Sequence, residues 1–245
     1  MRRHISKLFI DSRYTLPDGS FVVPGEQISL RPETKIWLGE FTCVASWDTI
    51  ETGVNDTFVV DELGTPRTIT VPSGPHDLES LREAIETQLN AAPGPGMGTY
   101  TVTRVSTGTG GSTYRSFRIS CDLGTFSVAS NKLEDIVSWP TGGVALAAHT
   151  STFVDVRRVH SIYLHCDFGN HNAVSPTGVR GLLAKVPVLT GYGGLVHHTS
   201  SGSEHDFIES GSHSLSTFKI TLHDVAGRLL NLQGTSWSAT MVFER

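Results

Sequence analysis

Short runs in which apolar and polar residues alternate, each closed by Gly, Pro, Asn or Asp, recur along nearly the whole chain. That period of two puts successive side chains on opposite faces of a strand, so each run suits a strand with one buried face. In Phe218-Lys219-Ile220-Thr221-Leu222 the apolar residues share one face, and Thr217, Lys219 and Thr221 take the other. Ile162, Leu164 and Cys166 alternate with Tyr163 and His165, and Trp237, Ala239, Met241 and Phe243 do so near the end. Further strands are expected at 8–11, 36–45, 57–60, 67–71, 99–105, 117–121, 125–128 and 182–188. About ten such strands suffice for two packed sheets. The fold class read from this pattern is all-β, a sandwich with long loops.

One segment breaks the period. Across 77–90 the apolar residues Leu78, Leu81, Ile85 and Leu89 fall on one helical stripe. Asp77 can accept an orphan backbone N–H at the start, Glu79 suits the N-terminal dipole, and Pro93 follows the end. A single short capping helix is expected here, covering one end of the sandwich.

Length and composition bound the rest. At 245 residues, the chain is within what one large β domain can fill, so 1–245 is expected to be a single domain with a short basic tail at 1–5. It is 38% hydrophobic and 18% charged, with Ser and Thr above a fifth of the residues, too apolar for a disordered chain and poor in helix-face residues. The net charge is −5, and outside Arg2-Arg3-His4 no basic block appears, which argues against a dense cationic nucleic-acid face. No run approaches a membrane span; Leu8-Phe9-Ile10 is stopped by Asp11, and it does not read as a signal peptide. Cys43, Cys121 and Cys166 are far apart and odd in number, which implies reduced thiols and a cytosolic or nuclear site of synthesis.

Three stretches read as loops: 91–96, 106–112 and 191–214. The Gly191–His213 segment holds His197, His198, His205, Asp206 and His213, residue types that suit zinc, but in neither HExxH nor cupin spacing. Gly108-Thr109-Gly110-Gly111 lacks the Lys-Ser/Thr of a P-loop and reads as a hairpin connection; deleting 108–111 is expected to leave the fold intact, as judged by an unchanged circular dichroism spectrum. Gly191-Tyr192-Gly193-Gly194 fails as a phosphate cradle for the same reason. There is no GxSxG, and Cys166-Asp167 with His160 or His165 nearby reads most simply as a strand with its Cys in the core. Asn55-Asp56-Thr57 fits a glycosylation sequon but reads as a turn entering a strand. Trp37, Trp47, Trp139, Trp237 and Tyr192 are either core residues or anchors of subunit contacts. No catalytic constellation and no cofactor is expected; the chain reads as a non-enzyme.

The order of motifs resembles a family. Phe9-Ile10-Asp11-Ser12-Arg13 is followed by an extended segment to Leu30, then Trp47-Asp48-Thr49-Ile50, Asn55-Asp56-Thr57-Phe58 and Ile69-Thr70-Val71-Pro72-Ser73-Gly74, leading into the helix. The second half runs Ile162 to Asp167, Leu183-Ala184-Lys185-Val186-Pro187-Val188, Phe218 to Asp224, then Gly227, Leu230, Asn231, Leu232, Gly234 and Trp237. This order resembles the penton-type single jelly-roll minor capsid proteins of polintons, polinton-like viruses, virophages and related large double-stranded DNA viruses. His76 stands where such proteins often carry Tyr, and Val137-Ser138-Trp139 replaces a Leu-Gly-aromatic.

The resemblance implies a jelly-roll virion protein, a homopentamer closing each five-fold vertex of an icosahedral capsid tiled by a double jelly-roll major capsid protein. It further implies contact with other minor capsid or spike proteins, strands along the capsid radius, Arg2 and Arg3 turned inward toward the genome, and loops near Gly108 and Gly191 facing out. Synthesis in the host cytoplasm and assembly there or in the nucleus follow from the same reading. A ring of five needs two different faces of one subunit to meet; which faces those are is not written in the motifs. The alternatives are a receptor- or glycan-binding fibre head and a cupin-like metalloenzyme drawing on the His-rich loop.

Overall fold

The computed structural model describes residues 5–23, 28–31, 34–107, 114–168, 175–200, 207–209 and 213–245. They form two compact units, one from 1–47 and 159–245 and the other from 48–158. The all-β expectation holds: the described residues contain seventeen strands and one α-helix.

The first unit holds β1 (Ile5–Asp11), β2 (Ser20–Val22), β3 (Ile28–Leu30) and β4 (Lys35–Val44), with the second unit's β5 (Thr57–Glu62), β6 (Thr65–Thr70), β7 (Tyr100–Thr107), β8 (Tyr114–Cys121), β9 (Phe126–Asn131) and β10 (Ala148–Thr150) following in the chain. The first unit then resumes with β11 (Ser161–Cys166), β12 (Leu182–Pro187), β13 (Leu195–Thr199), β14 (Ile208–Glu209), β15 (His213–Leu215), β16 (Thr217–His223) and β17 (Trp237–Glu244). One of its sheets has the order β1-β17-β4-β13, with β14 also on β4; the other has the order β12-β11-β16-β2, and β3 pairs with β15 just before β16. Counting β2 with β3, β13 with β14 and β15 with β16 as single positions leaves eight strands in the spatial orders 1-8-3-6 and 5-4-7-2. That double Greek key is the jelly roll.

The period-two pattern explains the packing. Ile36, Leu38, Phe41 and Cys43 of β4, Ala239, Met241 and Phe243 of β17, and Ile162, Leu164 and Cys166 of β11 are buried in one core, which Phe218, Ile220 and Leu222 complete from β16. The inward alternation of β4 skips one place between Leu38 and Phe41, matched by the register shift between Thr240 and Met241 on β17. Gly39 stands at that irregularity, where a Cβ would lie 2.7 Å from Val242 Cγ2 and 3.3 Å from the Thr240 carbonyl. Gly39→Val is therefore expected to cost about 1–3 kcal/mol by overpacking, read as a lowered urea midpoint.

The second unit has its own core. β5 and β6 form a hairpin whose two-residue turn, Leu63-Gly64, has positive φ at both places (54° and 88°), the type I′ geometry that suits strand twist. β9 flanks β5, and the β7–β8 hairpin carries β10. The helix α1 (Leu78–Ala91) begins as expected: Asp77 accepts from the Glu79 and Ser80 N–H groups, and Ser80 Oγ accepts from the Asp77 N–H. It buries Leu81, Ile85 and Leu89. The expected single short helix is present at these positions, and its stripe packs on β7 and β6 within the second unit and completes that unit's core. Amphipathic periodicity specifies that a helix has a partner, not which one.

Candidate assembly surface

Among the described residues, each sheet of the jelly roll ends in strands that pair with another strand on one side only. At one side of the sandwich these are β1 and β2; at the other, β12 and β13. β1 runs seven residues in unbroken register with β17, and among the described residues no other strand flanks it. Leu8 and Ile10 turn inward, and Ile5, Lys7 and Phe9 turn outward. Phe9 is 77% exposed and Tyr14, just beyond the strand, 78% exposed. They line a groove of about 530 Å³ with Phe21, Val22 and Phe218, which the edges of β1 and β2 leave open. Its charged lining residues are two carboxylates, Asp11 and Glu40. Arg13 binds both Asp11 oxygens and holds that carboxyl down to about 2, whereas Glu40 is half exposed, with His197 Nδ1 at 4.0 Å.

The opposite side is built differently. Val188 is buried at the end of β12, and the chain then turns through 189–194 into β13. Gly193 donates to the Ala45 carbonyl at 2.8 Å and the Ala45 N–H donates to Gly194 O at 2.9 Å, so two backbone hydrogen bonds anchor the turn on the chain leaving β4. Gly193 has φ +76°, and a Cβ on Gly194 would fall on the Thr190 hydroxyl, so the tight turn requires both glycines. The anchored turn projects Leu189, 86% exposed, and Tyr192, 57% exposed, with Leu195 exposed beside them. Residues 175–200 contain Arg180 and Lys185 and no Asp or Glu.

The residues singled out in the sequence are dispersed. His197 and His198 lie on β13; His197 turns outward beside Thr42 at 3.2 Å, and His198 pairs with Phe41 in the register. His213 begins β15, while His205 and Asp206 lie outside the described residues. No group of three or more His, Cys, Asp or Glu side chains is placed to hold a metal among the described residues. Arg2, Arg3 and Gly108–Gly111 also lie outside them. Cys166 faces the core and His165 the other side of the sheet, so they form no nucleophile–base pair; burial pushes the thiols of Cys43 and Cys166 up to about 12. Asn55 is buried, accepting from Glu51 N–H at 2.7 Å and donating to the Thr49 carbonyl at 3.0 Å, which makes it a turn residue. Trp47, Trp139 and Trp237 are core; Trp37 is half-buried on the outer face of β4 beside Ile5 and Phe9. The exposure of Phe9 is not legible in the sequence, because a Leu-Phe-Ile run gives no sign of which member faces out until the register is known.

Behind the outer face of the second sheet, His165 and His223 meet edge to face with ring centroids 4.8 Å apart. His165 Nδ1 lies 3.3 Å from the Arg180 carbonyl; His223 bonds the Gly227 carbonyl and the Thr221 hydroxyl, each at 2.9 Å. Burial pushes the His165 pKa down, the Arg180 carbonyl opposes it, and His223 adds to it, leaving a net lowering from 6.5. A folded-state value below the unfolded one means the folded chain binds fewer protons there, so the contribution is intact above about pH 6.5 and is lost as pH falls through the lowered value. Wild type is expected to lose more stability between about pH 7.5 and 5.5 than His165→Gln does, measured by urea unfolding at each pH.

No family model matches the chain, and no curated protein matches it in sequence. Its fold is similar to the crystal structure of the mavirus penton protein, with a TM-score of 0.59 over 100% of this chain and 99% of that one, at 10% identity. The likeness spans both units, so the penton-like jelly roll is shared as a fold. No helix among the described residues is long and apolar enough to cross a membrane.

Proposed function

We propose that residues 1–245 act as one structural capsid subunit, a penton protein that forms a homopentamer at the five-fold vertices of an icosahedral virion. The observation that carries this reading is the full-length likeness to a penton protein, in a chain whose jelly roll exposes Phe9 and Tyr14 at one edge and Leu189 and Tyr192 at the other. A closed ring of identical subunits uses two different surfaces of each, repeated by rotation. The major capsid protein of double jelly-roll type surrounds such a ring, a spike or other minor protein docks on it, and the Arg2 and Arg3 end faces the genome. The role is non-catalytic: the buried thiols are held protonated and the histidines of β13 are split between two faces of a sheet.

The test is imaging of particles assembled with a C-terminally tagged chain. Tag density is expected only around the five-fold axes. Tag density on the faces of the capsid, or on a projecting trimeric fibre, contradicts the reading.

A further inference from the structure

We infer that α1 guards an edge of the second unit: its Arg82, Glu86 and Asn90 side chains occupy outward backbone groups of β7 and so keep that edge from pairing with β7 of a second copy. The device works in a subunit of any oligomeric state, so it does not rest on the pentameric reading. The segment Tyr100-Thr101-Val102-Thr103-Arg104-Val105-Ser106-Thr107 is rich in Thr and Val, carries one charge and has neither Gly nor Pro. That is the composition of a strand that pairs readily with its own kind. It runs in register with β8 without a shift, and among the described residues β8 is the strand it pairs with. Two copies of such an edge brought together antiparallel are self-complementary about a two-fold axis, so a second copy of β7 is the partner it fits.

The Thr99 carbonyl accepts from the Asp122 N–H, so odd positions along this strand bond toward β8 and even positions face away from it. The even positions are where the helix reaches. Asn90 accepts from the Tyr100 N–H and donates to the Tyr100 carbonyl, each at 2.8 Å, as a residue of a neighbouring strand would. Glu86 Oε2 accepts from the Val102 N–H at 2.7 Å, and Arg82 Nη1 donates to the Val102 carbonyl at 3.0 Å. Three side chains thus stand in for a missing strand. The spacing permits it: residues four apart share one helical stripe and rise about 6 Å, close to the ~6.8 Å between alternate residues of a strand. The adjoining stripe of Leu81, Ile85 and Leu89 holds the helix on the core, and Arg82 is itself fixed by Glu79 at 2.6 Å and Glu86 at 3.1 Å.

Hydrogen exchange on the full wild-type chain reads the guard directly. The amides of Tyr100 and Val102 should be protected to within about tenfold of those of Thr101 and Thr103, which face β8. Exchange there at the rate of an open strand edge overturns the proposal, whatever the variants do. Glu86→Ala/Asn90→Ala removes the Asn90 bonds to Tyr100 and the Glu86 bond to Val102. In the full chain it should speed exchange at both amides by on the order of tenfold or more and form species larger than the wild-type assembly, growing with concentration in sedimentation. Adding Arg104→Pro takes away the next even-position N–H and leaves the bonds to β8 in place, so the larger species should disappear. Glu86→Ala alone, the milder change, is read in the same way if the double variant loses the wild-type circular dichroism spectrum. A variant that exchanges faster but associates no further than wild type, or larger species that persist with the proline in place, overturns the guard and leaves the vertex reading standing.

Discussion

Glu62→Ala is expected to destabilise the second unit by about 3–5 kcal/mol, the cost of removing one partner from a buried, hydrogen-bonded charge pair. The carboxylate is nearly fully buried at the end of β5 and joins four pieces of chain. Arg67 Nη2 reaches Glu62 Oε1 at 2.5 Å and also donates to the Leu89 carbonyl at 2.9 Å, tying the β5–β6 hairpin to the last turn of α1. Tyr100 Oη donates to Oε1 and the Gly94 N–H to Oε2, each at 2.8 Å, which adds β7 and the chain after the helix. Gly94 can approach this closely because it lacks a Cβ, which would stand 2.5 Å from Oε2. Burial alone raises the Glu62 pKa, but the bonds from Arg67 and Tyr100, the Arg67 charge and the Gly94 N–H outweigh it, and the net shift is downward. That contribution is therefore present above about pH 4.5 and is lost as pH falls through the lowered folded value. Alanine leaves the guanidinium, a phenol and an amide facing an empty site. Urea unfolding followed through Trp139 fluorescence should show the loss; a variant within about 1 kcal/mol of wild type would show that water replaces the carboxylate at little cost.

Phe41→Ala should cost the jelly roll about 3–5 kcal/mol. Phe41 is fully buried on β4, the strand between β17 and β13, with its ring centroid 6.0 Å from that of Trp237. Trp237 in turn meets Phe21 edge to face at 5.6 Å, and Phe21 stacks on Phe218 at 5.4 Å, so one aromatic chain crosses from the first sheet to the second. Truncation leaves a cavity beneath that chain, which rigid strands on both sides cannot collapse to fill. The check is the urea midpoint followed by near-UV circular dichroism, which reports Trp237 packing. An unchanged midpoint would mean that the two sheets are not held together through this contact.

The parts of the fold legible in the sequence are those whose pattern is long enough to average. β4, β11, β16 and β17 alternate over six or more residues, and α1 has both a cap and a stripe, so each was readable within a few positions. β2, β3, β10, β14 and β15 are two or three residues long, and nothing in so short a run distinguishes a strand from a loop. β13 was hidden because Leu195-Val196-His197-His198-Thr199 sits in a glycine- and serine-rich stretch that reads as loop. The separate second unit left no linker to find: the chain departs at Trp47 and returns at Val159, and both are buried in the first unit's core. The candidate assembly surface was least legible. Tyr192 stands out in the sequence as a candidate contact residue, whereas the exposure of Phe9 and Leu189 shows only once register and turn geometry are known.

The central claim is the ring of five, and the solution mass of the purified chain tests it most directly. Sedimentation equilibrium across a concentration series is expected to approach about 130 kDa, five copies of the 26.5 kDa chain, with no stable intermediate, because in a closed ring every copy satisfies both edges. A stable dimer or trimer, or a monomer at every concentration, would contradict it.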